Sequence, residues 1–156
     1  MLGGEVDDDQ HVTFMRIAVA EAEAALARGD GPIGCVVVRG SEVIARGGNM
    51  VYSTGCKLDH AELVAIRAGS AALWNDPDQC TLYTTLEPCV MCLGAIASAR
   101  IGRVVYGEAD SEHGSDARRL VSYVRDRLGE YVGGVLAREC ADIRSRWARP
   151  ASGPGA

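Results

Sequence analysis

Apolar and polar residues alternate along the chain with two different periods, and the switches between them mark the elements. From His11 to Arg28, Phe14, Ile17, Ala18 and Leu26 recur at helical spacing in an Ala-, Glu- and Leu-rich run that Gly29-Asp30-Gly31-Pro32 ends. Gly34 to Val38 is a β-branched run, Arg39-Gly40-Ser41 a tight turn and Glu42 to Arg46 a second extended run, which together predict a hairpin. Gly47-Gly48-Asn49 closes the hairpin, and a loop is expected to reach Leu58. Asp59 to Ala68 returns to the helical period and stops at Gly69-Ser70. Beyond a polar Asn75-Asp76-Pro77-Asp78 turn, Thr81-Leu82-Tyr83-Thr84-Thr85 is a strand. Pro88 then stands where a helix can begin, and Cys89 to Ala99 continues it. Arg103 to Gly107 predicts a fourth strand. A Gly- and Ser-containing loop leads to a helix over Arg118–Leu128, a fifth strand over Tyr131–Val135 and a last helix over Ala137–Trp147.

Strands alternating with helices after an opening hairpin predict the α/β class, with one mixed sheet covered by helices on both faces. No internal repeat or linker divides the chain, so residues 11–149 are expected to form one domain between a disordered 1–10 tail and a flexible 150–156 tail. At 156 residues such a domain buries roughly 68–70% of its unfolded surface without staples. No apolar run approaches the ~20 residues needed to cross a bilayer, and the acidic start has no apolar core. A cytoplasmic protein with no membrane contact is the expectation.

Charge changes the picture only locally. Glu5, Asp7, Asp8 and Asp9 supply most of the net charge of −5. Residues 118–149 carry eight Arg, with Asp126, Glu130, Glu139 and Asp142 interleaved. That run reads either as a solvated helical surface or as a contact for phosphate or RNA, and the interleaved acids weaken the second reading. Of six cysteines, Cys35, Cys80 and Cys140 lie in apolar or amphipathic runs and read as small core residues. Clustered Cys in an intracellular chain more often serve metal or catalysis than disulfides.

Chemistry concentrates in two stretches, His60-Ala61-Glu62 and Pro88-Cys89-Val90-Met91-Cys92. Cys89 and Cys92 stand three apart at a helix start, so their side chains face one way, and the positive helix end favours thiolate, the form that zinc binds. Each stretch alone has an ordinary explanation. Cys-x-x-Cys also fits a redox pair or two buried thiols, and His60 a surface histidine. Asp59-His60-Ala61-Glu62 also fits a capping box, with Asp59 as N-cap and Glu62 three residues on. Together they offer one imidazole, two thiolates and one free carboxylate, which suits a zinc ion with an open position.

His-x-Glu followed by Pro-Cys-x-x-Cys is the pattern of the zinc deaminases. On these residues the chain resembles the cytidine/nucleobase deaminase superfamily, in particular the branch of guanine deaminases, fungal-type cytosine deaminases and bacterial tRNA adenosine deaminases. The likeness runs from about Phe14 to Trp147. It includes Gly31-Pro32-Ile33-Gly34, Gly48-Asn49, the run from Thr81 to Cys92, and Arg100 to Gly107. The resemblance implies a three-layer α/β/α fold around a mixed five-stranded sheet, one Zn2+ per subunit and a homodimer. It makes His60, Cys89 and Cys92 the metal ligands and Glu62 the catalytic proton carrier in a hydrolysis that replaces an exocyclic amine by a carbonyl and releases ammonia.

Substrate contacts follow the same resemblance. Asn49 takes the place of an asparagine that hydrogen-bonds the ring, and Ile33 that of a residue lining the base pocket of cytosine deaminases. Backbone amides near Ala61 and Cys89 face substrate polar atoms, and Trp147 closes the pocket by stacking. Asp59 is either a helix cap or a reader of a ring N–H or amino group, and Tyr52 and Cys56 share its loop. The chain departs from the tRNA-editing branch in Gly55-Cys56-Lys57-Leu58-Asp59 and in Ser111-Glu112-His113-Gly114-Ser115-Asp116, where acids replace a loop suited to a phosphate backbone. The final segment, Gly134 to Cys140, does resemble that branch. The expectation is a deaminase of a small aminated heterocycle, cytosine favoured. Guanine or another purine or triazine-type base or nucleoside, tRNA adenosine-to-inosine editing, and a non-catalytic zinc-binding module are the alternatives.

Overall fold

The computed structural model describes residues 8–112, 124 and 126–153. Helix α1 (Asp8–Arg28) starts inside the segment expected to be a tail. Asp9 near its start and Arg28 in its last turn suit the helix dipole, and Gly29 ends it in the left-handed region at φ 90°. Strands β1 (Gly34–Arg39) and β2 (Glu42–Gly48) form the expected hairpin, its register shifted by an irregularity at Val37/Val38. The stretch expected to be loop contains a short helix, α2 (Val51–Thr54). Helix α3 (Ala61–Ala68), strand β3 (Cys80–Leu86), helix α4 (Val90–Ser98) and strand β4 (Arg103–Glu108) follow.

Strand β5 is shorter than expected and begins earlier (Glu130–Val132). The chain leaves the sheet at Gly133 and Gly134: Gly134 is in the left-handed region at φ 92°, and Gly133 passes so close to Tyr106 that a Cβ there would overlap the ring. Helix α5 (Ala137–Ser145) ends two residues before Trp147. The helix expected over Arg118–Leu128 lies mostly outside the described residues, as do residues 1–7, 113–116 and 154–156.

The five strands form one mixed sheet in the order β2-β1-β3-β4-β5. Its β2-β1 and β1-β3 pairs are antiparallel, and β3-β4 and β4-β5 are parallel. Alternate residues of a strand point to opposite faces, and the sequence uses both. Cys35, Val37, Leu82 and Val104 pack with Ala61, Ala65, Leu93 and Ile96 of α3 and α4. Val36, Val38, Tyr83 and Val105 pack with Phe14, Met15 and Ala18 of α1 and with Cys140 of α5. Three layers result, α3 and α4 on one face and α1 and α5 on the other. Full burial of a side chain such as Leu93 or Ile96 stabilises by about 1.5–3 kcal/mol. Glycine sets how closely two helices approach: a Cβ on Gly34 would overlap the Ala18 carbonyl oxygen, and one on Gly47 would stand 2.5 Å from the Ala65 nitrogen.

Candidate active site

The two motif-bearing helices begin at the same end of the sheet, next to Leu86 and Glu108 at the C-terminal ends of β3 and β4. Open α/β sheets leave a crevice there. The N-cap of α3 is His60, extended at φ −66° and ψ 153°, and that of α4 is Cys89 at φ −71° and ψ 172°. Neither side chain turns back to cap its own helix. This corrects the capping box: Asp59 lies one residue too early to be the cap. Its carboxylate accepts instead from Thr54 Oγ1 at 2.7 Å and from the Arg67 guanidinium.

Freed from capping, the imidazole meets the thiols. His60 Nδ1 lies 3.7 Å from Cys89 Sγ and 3.6 Å from Cys92 Sγ, and the three atoms are within 4.8 Å of one another. A tetrahedral zinc with bonds of about 2.0–2.3 Å sets N···S edges of roughly 3.6 Å, so this donor set fits the ion. A hydrogen bond from Cys92, aided by His60, holds the Cys89 pKa down at about 4 against burial, which makes it a thiolate. The same bond and burial push Cys92 up, and the bond to Cys89 raises His60.

Glu62 stands beside the cluster on the second residue of α3 and is 4% exposed. Its Oε1 accepts from Thr84 Oγ1 at 3.2 Å and its Oε2 from Cys92 at 3.4 Å. Burial raises its pKa, so it takes up a proton more readily than an exposed glutamate. Parity along the sheet places Thr84 here: it pairs with Cys35, on the face covered by α3 and α4.

A cavity of about 1080 Å³ opens onto His60, Glu62 and Cys89. Ile33, Asn49, Tyr52 and Trp147 line it. Trp147 stands edge-on to Tyr52 with ring centroids 5.7 Å apart, and its Nε1 donates to Gly29 O at 3.3 Å. Asn49 Oδ1 accepts from the Val51 amide at 3.1 Å, which leaves its Nδ2 hydrogens as the polar edge for a ligand. The charged lining mixes Lys57, Arg144 and Arg149 with Glu87, Glu108, Asp110 and Glu112. Arg144 is already engaged, forking onto Glu108 through two bonds of 2.7 Å.

The structure thus brings together Ile33, Asn49, His60, Glu62, Cys89, Cys92 and Trp147, with Tyr52 among them. Asp59, Ala61 and Cys56 are not among the cavity-lining residues. Thr84, Asp30 and Glu87 were missed from sequence. Glu87, 3% exposed, accepts from the Asp110 amide at 3.0 Å and from the Tyr131 hydroxyl at 3.3 Å. Strand parity with Leu82 could have found Thr84; nothing in Gly29-Asp30-Gly31-Pro32 separates Asp30 from an ordinary turn residue.

A three-ligand metal cluster with an unligated buried glutamate next to it is equipped for hydrolysis, since a structural site closes with a fourth protein ligand. A family model of the cytidine and deoxycytidylate deaminase zinc-binding region matches residues 8–108, and the chain belongs to that family. It is a zinc-dependent deaminase with a cytidine deaminase-like fold, a hydrolase acting on the C–N bond of a cyclic amidine. A tRNA-specific adenosine deaminase of Streptococcus pyogenes serotype M18 is 38% identical over 146 residues, 90% of this chain and 91% of that protein. A solved structure from work on A-to-I editing by tRNA:A34 deaminases at the wobble position of transfer RNA is 36% identical. It matches at a TM-score of 0.72, over 84% of this chain and 98% of that one. A guanine deaminase structure from Bacillus subtilis is 42% identical with a TM-score of 0.59, over 64% of each chain.

Proposed function

We propose that the chain hydrolyses the 6-amino group of adenine presented by a tRNA, with His60, Cys89 and Cys92 holding the zinc and Glu62 moving the protons. Zinc, when bound, supplies a Lewis acid that makes an attacking water acidic near neutral pH. Glu62 accepts a proton from that water and passes one to the ring nitrogen. It then takes the remaining proton of that water from the newly added hydroxyl and passes it to the departing amine, so one buried group is base and then acid. The water oxygen becomes the product carbonyl and ammonia leaves. Thr84 steadies Oε1 of Glu62 through this cycle. Asn49 holds the ring edge, Ile33 and Trp147 hold its faces, and the Cys89 backbone at the start of α4 faces its polar atoms.

The observation that carries the tRNA reading is the extent of the likeness. It covers 90% of the chain and therefore extends past residue 108, beyond the zinc-binding region. The cavity is also an open cleft of about 1080 Å³, just above the roughly 300–1,000 Å³ typical of small-ligand pockets. The slight cytosine preference read from Ile33, Gly48-Asn49-Met50 and the run Thr81 to Leu86 becomes part of a second reading, a deaminase of free cytosine or guanine. Glu108, Asp110 and Glu112 in the lining favour it, since they put negative charge where a phosphate backbone would run. Leu58 and Val90, apolar and 56% and 51% exposed beside the starts of α3 and α4, support a homodimer as part of the proposal, and sedimentation equilibrium tests it. Cytoplasmic residence belongs to the same proposal.

Zinc-loaded protein incubated with an adenosine-containing tRNA anticodon stem-loop, and separately with cytosine and guanine, decides between the readings. Inosine in the RNA, formed less efficiently as salt rises, supports the first. Ammonia from a free base alone replaces it with the second, and product from none of the three overturns both.

A further inference from the structure

We propose that Asp30 is a positioning residue: from behind the cavity wall it sets the short helix α2, and through α2 it places Asn49, Tyr52 and Trp147 against the substrate. This rests on the cavity being the substrate site, as above, and not on which base enters it.

The four residues of α2 cannot hold themselves in place. A helix this short is unstable alone, none of its residues is buried, and its N-cap residue, Met50, makes no side-chain capping bond. Its anchor comes from another part of the chain. Asp30, 0% exposed at the corner after α1, accepts from the Tyr52 and Ser53 amides at 2.9 Å each through Oδ1. Its Oδ2 takes the Ser53 hydroxyl and Arg28 Nε, the latter at 3.3 Å. A carboxylate therefore does for α2 what a neighbouring cap would normally do. Burial works against its charge, but the Ser53 hydroxyl and amide, Arg28 and the Tyr52 amide outweigh burial and hold its pKa below the usual carboxylate value.

The same corner reaches both ends of the wall. The Arg28 guanidinium that faces Asp30 also donates to Asn49 O at 3.2 Å, fixing the residue just before the N-cap of α2. Gly29, immediately before Asp30, offers its carbonyl to Trp147 Nε1, and the Trp147 ring meets the Tyr52 ring edge-on. Tyr52 thus depends on Asp30 directly, and Trp147 depends on Gly29 and Tyr52. Neither the ligand cluster nor Glu62 takes any hydrogen bond from this network among the described residues.

Because the network holds the wall and not the reacting groups, its loss should weaken substrate binding and spare the chemical step. The test uses Asp30→Ala, with Ser53→Ala as the milder variant that removes one donor and keeps the carboxylate. Both are made in wild type and in a Trp74→Phe background, where Trp147 is the one tryptophan left. Asp30→Ala is expected to raise KM at least about tenfold with kcat within about threefold and one zinc per chain, and Ser53→Ala to move KM the same way by less. Acrylamide quenching of Trp147 and amide exchange over residues 49–53 should both increase. Unchanged KM and quenching overturn the proposal, and so does a fall in kcat at constant KM or a loss of zinc in step with KM. If Asp30→Ala does not fold, Ser53→Ala decides by the same measures. The assay substrate is whichever of the stem-loop, cytosine or guanine wild type turns over. Should none turn over, the functional reading has failed, and quenching and amide exchange still decide on Asp30.

Discussion

At the scale of single residues, the proposed function separates holding metal from moving protons. Glu62 has no place in the ligand set and is buried, with Thr84 donating to its carboxylate. Glu62→Gln keeps shape and burial but cannot carry a proton. It should retain one zinc per chain while ammonia release falls by at least about 10²-fold, the low end of what general acid–base catalysis contributes. Metal analysis and a coupled ammonia assay on the same sample check both halves. The thiols give the complementary pair of variants. Cys89, held as a thiolate, and Cys140, its pKa pushed up to about 12 by burial, are both cysteines near the sheet, yet they should behave oppositely. Cys89→Ala should purify without zinc and Cys140→Ala with it. Zinc lost from both, or from neither, would count against this ligand set.

At the scale of elements, the sheet and its helices were legible in the sequence because strand and helix periods differ, and β1, β2, β3, β4, α1, α3 and α4 stand where those periods put them. The two N-terminal helix boundaries at the site were legible only to within a residue. That residue decided the role of Asp59, because a cap one position later turns His60 from an in-helix residue into a free ligand. Helix α2 carried no periodic signal, being four residues held by distant polar partners. Its carboxylate anchors also make it sensitive to acid. Asp30 and Asp59 both have folded-state pKa values below their ordinary ones, Asp30 despite burial and Asp59 through Thr54 and Arg67. Stabilisation of this sign is complete above the unfolded value of about 3.9 and is lost as pH falls through the folded values. In the Trp74→Phe background, Trp147 emission should therefore change below about pH 4 and stay constant from there to neutrality. Helix–sheet spacing gives a further prediction. Gly34→Ala would drive a Cβ into the Ala18 carbonyl of α1 and should cost about 1–3 kcal/mol in denaturant unfolding.

At the scale of the whole molecule, the proposed zinc site spans elements that nothing covalent joins nearby, residue 60 at one helix start and residues 89 and 92 at another. An ion that binds only the folded chain stabilises it by about 2.7 kcal/mol at a free concentration one hundred times its Kd. Chelation should lower Tm by roughly 5–11 °C at that loading, and added Zn2+ should restore it. A chain whose Tm ignored the chelator, with zinc confirmed removed, would not be using this cluster as a clamp.

The cavity wall is drawn from Ile33, the loop at 49–57, the chain after β3 and β4 at 86–87 and 108–112, and the chain from 144 onward, while the proposed reacting groups sit at the starts of α3 and α4 and on β3. For descent, this means that a duplicated copy can change what it accepts through substitutions in surface segments and never pass through an inactive ancestor. Exchanging residues 49–57 and 144–153 for those of a relative with another substrate, with residues 30, 60, 62, 84, 89 and 92 kept, is the laboratory form of that history.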